Sequence, residues 1–156
     1  MGGFFGVASK SDCMVDVFFG TDYHSHLGTR RAGMAAYDET IGMQREIHNI
    51  ENSPFRTKFE NILNEMKGKS AIGCISDTDP QPLLIRSHLG TYAICIVAKI
   101  NNTDELIDEY LSVSGGHFDA MTAGKVNTTE LVAALISQNQ DFVEGIKRAQ
   151  KLIEGT

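Results

Sequence analysis

The sequence predicts an α+β fold. Short apolar segments bounded by turn residues, read as strands, gather in the first half of the chain. Capped amphipathic segments gather in the second half. Strand and helix do not alternate strictly, as a parallel βαβ sheet would require, and no internal repeat or low-complexity stretch breaks the pattern.

Gly3-Phe4-Phe5-Gly6-Val7-Ala8 reads as a short buried strand. Residues 14–27 mix apolar and polar side chains and read as a helix or turn leading to Arg30. Gly33 to Tyr37 and Gln44 to Ile50 read as two strands joined by the polar turn Asp38-Glu39-Thr40. Ser53-Pro54 signals a helix start, serine as N-cap and proline in the first helical position. Phe55, Phe59, Ile62, Leu63 and Met66 then recur at helical spacing, with Gly68 as the stop.

Ser70 to Ser76 and Leu83 to Ser87 are predicted strands flanking the turn-rich Asp77-Thr78-Asp79-Pro80. Thr91 to Lys99, almost continuously apolar, reads as a strand covered on both faces. Asn102 caps a predicted helix that runs to about Val113 and stops at Gly115-Gly116. Asn127-Thr128-Thr129-Glu130 is a capping sequence, with Glu130 three residues after the cap. The helix it opens buries Leu131, Val132, Leu135 and Ile136. A last helix, about Asp141 to Ile153, offers Phe142, Val143, Ile146 and Ala149 as its apolar face.

The 156 residues suit one domain with a real core. The net charge of −6, with basic residues scattered, argues against a nucleic-acid surface. Hydrophobic residues make up 42% and the mean hydropathy is −0.15, with no apolar run long enough to span a membrane and no signal peptide. Three cysteines without CxxC spacing argue against a zinc site or disulfide framework and for a reducing, cytoplasmic setting.

Cys74 and Cys95 sit in apolar strand patterns, where thiols are usually inert. Cys13 lies in a predicted loop. Asp22, His24 and His26 resemble metal ligands on paper but lack a third partner on one face, so a solvated turn is the favoured reading. His117 and Asp119 are ambiguous in the same way. Met34, Met43 and Met66 read as core filler.

Met1-Gly2-Gly3-Phe4-Phe5-Gly6 and Arg30-Arg31-Ala32-Gly33-Met34-Ala35-Ala36, with three later segments in the same order, resemble a class II glutamine amidotransferase domain of the amidophosphoribosyltransferase type. That family begins Met-Cys-Gly-Ile-Val-Gly, and its cysteine supplies both nucleophile and α-amino base. Gly2 holds that place here. The family's pocket arginine, in Arg-Gly-Gln-Asp-Ser-Ala-Gly, falls on Arg30. Gly73-Cys74-Ile75-Ser76-Asp77-Thr78-Asp79 stands where the family has Gly-His-Val-Arg-Tyr-Pro-Thr, so Ser76 replaces the arginine that grips the glutamine carboxylate. Gln81-Pro82 matches the Gln-Pro that follows.

The oxyanion segment Ala-His-Asn-Gly-Asn becomes Ala98-Lys99-Ile100-Asn101-Asn102, and Ile100 has no amide to donate. Thr128 replaces the aspartate that holds the substrate amine. The resemblance implies a four-layer αββα sandwich of two antiparallel sheets, the N-terminal nucleophile hydrolase fold. It implies a single domain over 1–156, the N-terminal part of a longer protein, with no catalytic residue, no metal and no cofactor.

In active relatives such a domain passes ammonia to a phosphoribosyltransferase domain that makes phosphoribosylamine in purine synthesis. The implied partner is that domain, C-terminal or in trans; a homo-oligomer is open, and neither nucleic acid nor membrane is expected. The implied function is an amidotransferase-like domain without glutaminase activity. The alternative is a metabolite-binding or regulatory module on the same fold, with Arg30 and Lys99 as its cations. A rearranged hydrolase using Cys13 or Thr128 is a weaker rival.

Overall fold

The computed structural model describes residues 2–28 and 30–156. Met1, the first residue of the family-like opening, lies outside the described residues. The chain divides into two compact units, Met1–Leu84 with Tyr92–Val97, and Ile85–Thr91 with Ala98–Thr156.

In the first unit β1 (Gly3–Ala8), β2 (Arg31–Asp38), β3 (Gly42–Asn49) and β4 (Ser70–Ser76) form an antiparallel sheet in the order β1-β4-β2-β3. The polar turn between β2 and β3 is closed by Asp38, whose Oδ1 accepts the backbone N–H of Thr40 (2.8 Å) and Ile41 (3.0 Å). β1 is an edge strand, so Phe4 is exposed and the expected burial is confined to one face.

Strand register sets that face. Phe5 pairs with Gly73, and Gly73 with Met34, so these positions share a face with Ala32, Ala36, Ala71 and Ile75. The core covering it comes from α1 (Met14–Tyr23) and from Phe55, Phe59, Ile62 and Met66. α1 settles close to the sheet because Gly73 has no Cβ; one placed there would collide with the Thr21 hydroxyl. Each of these buried side chains is expected to contribute roughly 1.5–3 kcal/mol through burial.

The single helix expected over Phe55 to Met66 is two turns instead, α2 (Phe55–Lys58) and α3 (Ile62–Glu65). Phe59 leaves helical geometry (φ −108°, ψ 16°), and the Ile62 N–H bonds back to the Phe59 carbonyl at 3.1 Å. This break lets the Phe55 and Phe59 rings stack at 4.6 Å and turns Leu63 outward. Pro54, not Ser53, occupies the cap position.

The hairpin β5 (Leu83–Ser87) and β6 (Gly90–Ile94) follows. The long covered strand expected over Thr91 to Lys99 ends at Ile94, and none of these residues is fully buried. Beyond Ile94 the backbone is paired differently: the Gln81 side chain takes both polar groups of Ile96, accepting its N–H (2.7 Å) and donating to its carbonyl (3.0 Å). Among the described residues the strands therefore form one four-stranded sheet and two hairpins.

The second unit contains α4 (Thr103–Ser114), the small hairpin β7 (Met121–Thr122) and β8 (Lys125–Val126), α5 (Thr128–Ser137) and α6 (Phe142–Leu152). α4 stops at Gly115, which is left-handed at φ 60°. Asn102 occupies the cap position of α4, as expected, but its side chain does not bond the helix: it donates to the Leu152 carbonyl (2.9 Å) and accepts the Glu154 N–H (3.0 Å), holding the end of α6.

Asn127 caps α5 as expected, accepting the Thr129 N–H at 2.8 Å. The Glu130 carboxylate, expected to reach back to the cap, instead accepts the N–H groups of Asp119 and Ala120. The apolar face expected on α6 is largely outside: Val143 is 62% exposed, whereas Gly145 and Ala149 are buried. These two small residues, one turn apart, let α6 approach the Ile136 carbonyl of α5, which a Cβ at Gly145 would meet at 2.5 Å.

Candidate functional site

Gly2 and Ser76 are brought together in the first unit. Gly2 precedes β1, whose first residue pairs with Ile75, so the Gly2 backbone runs against the end of β4. A Cβ at Gly2 would overlap the Ile75 carbonyl oxygen and lie 3.5 Å from the Ser76 Cα. Position 2 thus has no room for any side chain in this backbone, a stronger condition than the absence of a cysteine. Beside it, the space over Gly3 is filled by the His24 ring, whose atoms would lie 2.6 Å from a Cβ there. The buried His24 Nδ1 has no hydrogen-bond partner among the described residues.

Ser76 is buried and its hydroxyl is already engaged. Its Oγ accepts the Thr78 N–H (3.3 Å) and the Gln81 side-chain amide (3.4 Å). Gln81 is buried as well, bridging Ser76 to Ile96. Across the strand pair from Ser76 stands Arg31, whose guanidinium donates to the Thr78 carbonyl. Arg31, not Arg30, is therefore the cation beside Ser76. Sequence carried no signal for this, because the row that joins Arg31 to Ser76 is set by the β2–β4 register.

Arg30 lies outside this cluster, its side chain 63% exposed and 3.6 Å from the Glu51 carboxylate. In the second unit Ile100 and Asn101 run beside the last residues of the chain. Ile100 bridges Gly155, and the Asn101 N–H donates to the Glu154 carbonyl at 2.7 Å. The Asn101 backbone amide is thus already paired. Lys99 is held through its backbone by Thr156. Thr128 opens α5 as its first residue.

Cys13, expected in a loop, is 1% exposed at the head of α1. Burial and the neighbouring Asp12 and Asp16 carboxylates push its thiol above the ordinary range, the reverse of what a nucleophile needs. Asp22 is committed to Arg56, at 2.7 Å. Among the described residues no three His, Cys, Asp or Glu side chains converge as metal ligands, and no helix is long and apolar enough to cross a membrane. A cleft of about 480 Å³ in the first unit is lined by Asp22, Ser25, His26, Glu51 and Arg56 among others. A smaller one of about 330 Å³ in the second unit lies among Leu106, Tyr110, Leu135, Arg148 and Leu152.

No protein-family model and no curated protein matches the chain. Among solved structures it is similar to the glutamine phosphoribosylpyrophosphate (PRPP) amidotransferase from B. subtilis complexed with ADP and GMP, with a TM-score of 0.77 at 23% identity. It is similar also to the allosteric regulatory enzyme of purine biosynthesis, with a TM-score of 0.79 at 24% identity. Each match covers 99% of this chain but only 33% and 34% of the other, so the chain spans about a third of their length. The resemblance first drawn from short motifs is thereby met in the fold: a mixture of helices and antiparallel strands shared with that third of PRPP amidotransferases.

Proposed function

We propose that this chain is a glutamine amidotransferase-like domain of the amidophosphoribosyltransferase type, the N-terminal part of a longer protein, in which glutaminase chemistry has been lost. The observation that carries the proposal is the closed backbone at Gly2, where a Cβ would overlap the Ile75 carbonyl oxygen. An acyl-enzyme path needs a nucleophile, and none fits there. The other substitutions point the same way. Ser76 in place of an arginine is satisfied internally, Ile100 offers no side-chain amide, and Thr128 carries no charge for a substrate amine. Losing one oxyanion donor alone typically costs about 10²–10³ in rate.

On this reading the four-layer αββα arrangement is the parent architecture, and the hairpin β5–β6 is what remains of the second sheet. The partner is a phosphoribosyltransferase domain, linked C-terminally or supplied in trans, and the domain docks and regulates rather than supplying ammonia. The setting is cytoplasmic.

The test is ammonia release from glutamine by the folded protein, its N-terminus verified by mass spectrometry. Release no greater than the blank supports the proposal; release that survives mutation of all three cysteines overturns it.

The cleft lined by Asp22, His26, Glu51 and Arg56 favours a second reading, a metabolite-binding or regulatory module. Its mixed charges suit a zwitterion such as an amino acid. Calorimetry with millimolar amino acids and nucleotides tests it, and a flat response across the panel removes it.

A further inference from the structure

The sheet of the first unit separates two cysteine environments. Cys13 belongs to the core on the α1 face. Cys74 pairs with Phe4 on one side and Gly33 on the other, in the row that projects to the opposite face. Over Gly33 that face is covered closely: a Cβ there would meet the Gln81 backbone and, at 2.7 Å, the Pro82 ring. The Gln81 side chain, bonded to the Ser76 hydroxyl two residues on from Cys74, also grips both backbone groups of Ile96, the residue after Cys95. The result is a thiol–thiol hydrogen bond between Cys74 and Cys95, both free cysteines. Cys74 is 1% exposed, whereas Cys95 is only half-buried.

We propose that Cys74 and Cys95 are a redox site, forming a reversible intramolecular disulfide on exposure to peroxide. The two sulfurs are unequal in a useful way. The hydrogen bond from Cys74 favours the thiolate of Cys95 and lowers its pKa. The same bond, then burial, raises that of Cys74. Cys95, the less buried of the two, is the sulfur that meets peroxide first.

Its thiolate attacks one peroxide oxygen and the O–O bond breaks. The sulfur becomes a sulfenic acid, and the departing hydroxide takes a proton to leave as water. Cys74 then loses its proton and attacks the Cys95 sulfur. The S–S bond forms as the S–O bond breaks, and the hydroxide leaves with that proton as a second water. Two thiols and one peroxide give one disulfide and two waters, the thiols supplying both electrons. A dithiol reverses the change by exchange. The cross-link ties β4 covalently to the segment after β6.

The test is intact mass and thiol titration of the full, reduced, folded chain after a small molar excess of hydrogen peroxide. A loss of about 2 Da is expected. Alkylation after unfolding is expected to find one thiol where three were present, and peptide mapping to find Cys74 joined to Cys95. Dithiothreitol restores the mass. Cys13→Ser keeps the loss, and Cys95→Ser abolishes it. Cys74→Ser leaves Cys95 one oxygen heavier or captured by added thiol. Melting curves by circular dichroism establish that each variant is folded, and the unmutated chain reads the disulfide directly. No loss of mass in the folded chain, a bridge to Cys13, or a disulfide-linked dimer would overturn the proposal.

Discussion

Gly2→Ala is the smallest change that probes the closed backbone at position 2. Measured against the 3.4 Å at which ordinary Cβ contacts begin, the overlap with the Ile75 oxygen exceeds an ångström, and the Ile75 carbonyl carbon would lie at 3.2 Å. The obstacle is backbone in β4, with Ile75 paired to Gly3 on one side and Ala32 on the other, so it cannot rotate away as a side chain would. Either the start of β1 detaches or the end of β4 shifts, and overpacking of this kind costs about 1–3 kcal/mol. For a chain of this size each kcal/mol lowers Tm by about 2–4 °C. Gly6→Ala, in the same strand, is the control: its Cβ would sit 3.4 Å from the Ile72 Cγ2 in ordinary contact, and Gly6 is exposed. That variant is expected to be neutral or stabilised by up to ~1 kcal/mol, because alanine restricts the unfolded chain. Paired thermal melts by circular dichroism decide the matter. A Gly2→Ala protein that melts with the Gly6→Ala protein refutes the closed-backbone reasoning.

Gln81→Leu strips Ile96 of both side-chain partners and is expected to destabilise by about 1–3 kcal/mol, read from urea midpoints. The same change should speed amide exchange at Ile96 while leaving the β2–β3 hairpin protected. Asn127→Ala removes the cap of α5 and should cost roughly 1–2 kcal/mol, with Asn127→Asp recovering most of it. The Asp38 carboxyl is held below its ordinary 3.8 by the backbone N–H groups of Ile41 and then Thr40. A depressed carboxylate stabilises the fold above its unfolded pKa and loses that contribution as pH falls through the folded value. Asp38→Asn should therefore show a shallower loss of stability below pH 3.8 than the unmutated chain, in melts run across that range.

Elements closed by a local rule were legible in the sequence. Gly115 ends α4 in left-handed geometry, Asn127 caps α5, and Ser70 to Ser76 is a strand with the bounds its composition implies. Elements decided by a distant partner were not. The strand beyond Ile94 is cut short by a glutamine side chain, and α6 buries its two small residues because Gly145 alone admits the Ile136 carbonyl. Asn102 sits at the cap of α4 as its neighbours implied, but its side chain serves the far end of α6. Gly2 and Ser76, which the resemblance singled out, lie side by side in the structure. Arg31 was hidden by a one-residue offset from Arg30, and Cys95 by its distance along the chain from Cys74. The close approach of Gly2 to Ile75 has no sequence signature at all, since it depends on how the edge of the sheet closes.

Ammonia release by Gly2→Cys, with Met1 removed and residue 2 confirmed as the N-terminus by mass spectrometry, is the decisive measurement. If the site has lost its pocket as well as its nucleophile, the folded variant stays as silent as the unmutated protein, because a side chain at position 2 has no space and Ser76, Ile100 and Thr128 supply no grip on glutamine. Glutamine-dependent release that appears with the new cysteine and disappears when its thiol is alkylated would contradict this, and would mean that only the nucleophile had been lost from a working glutaminase.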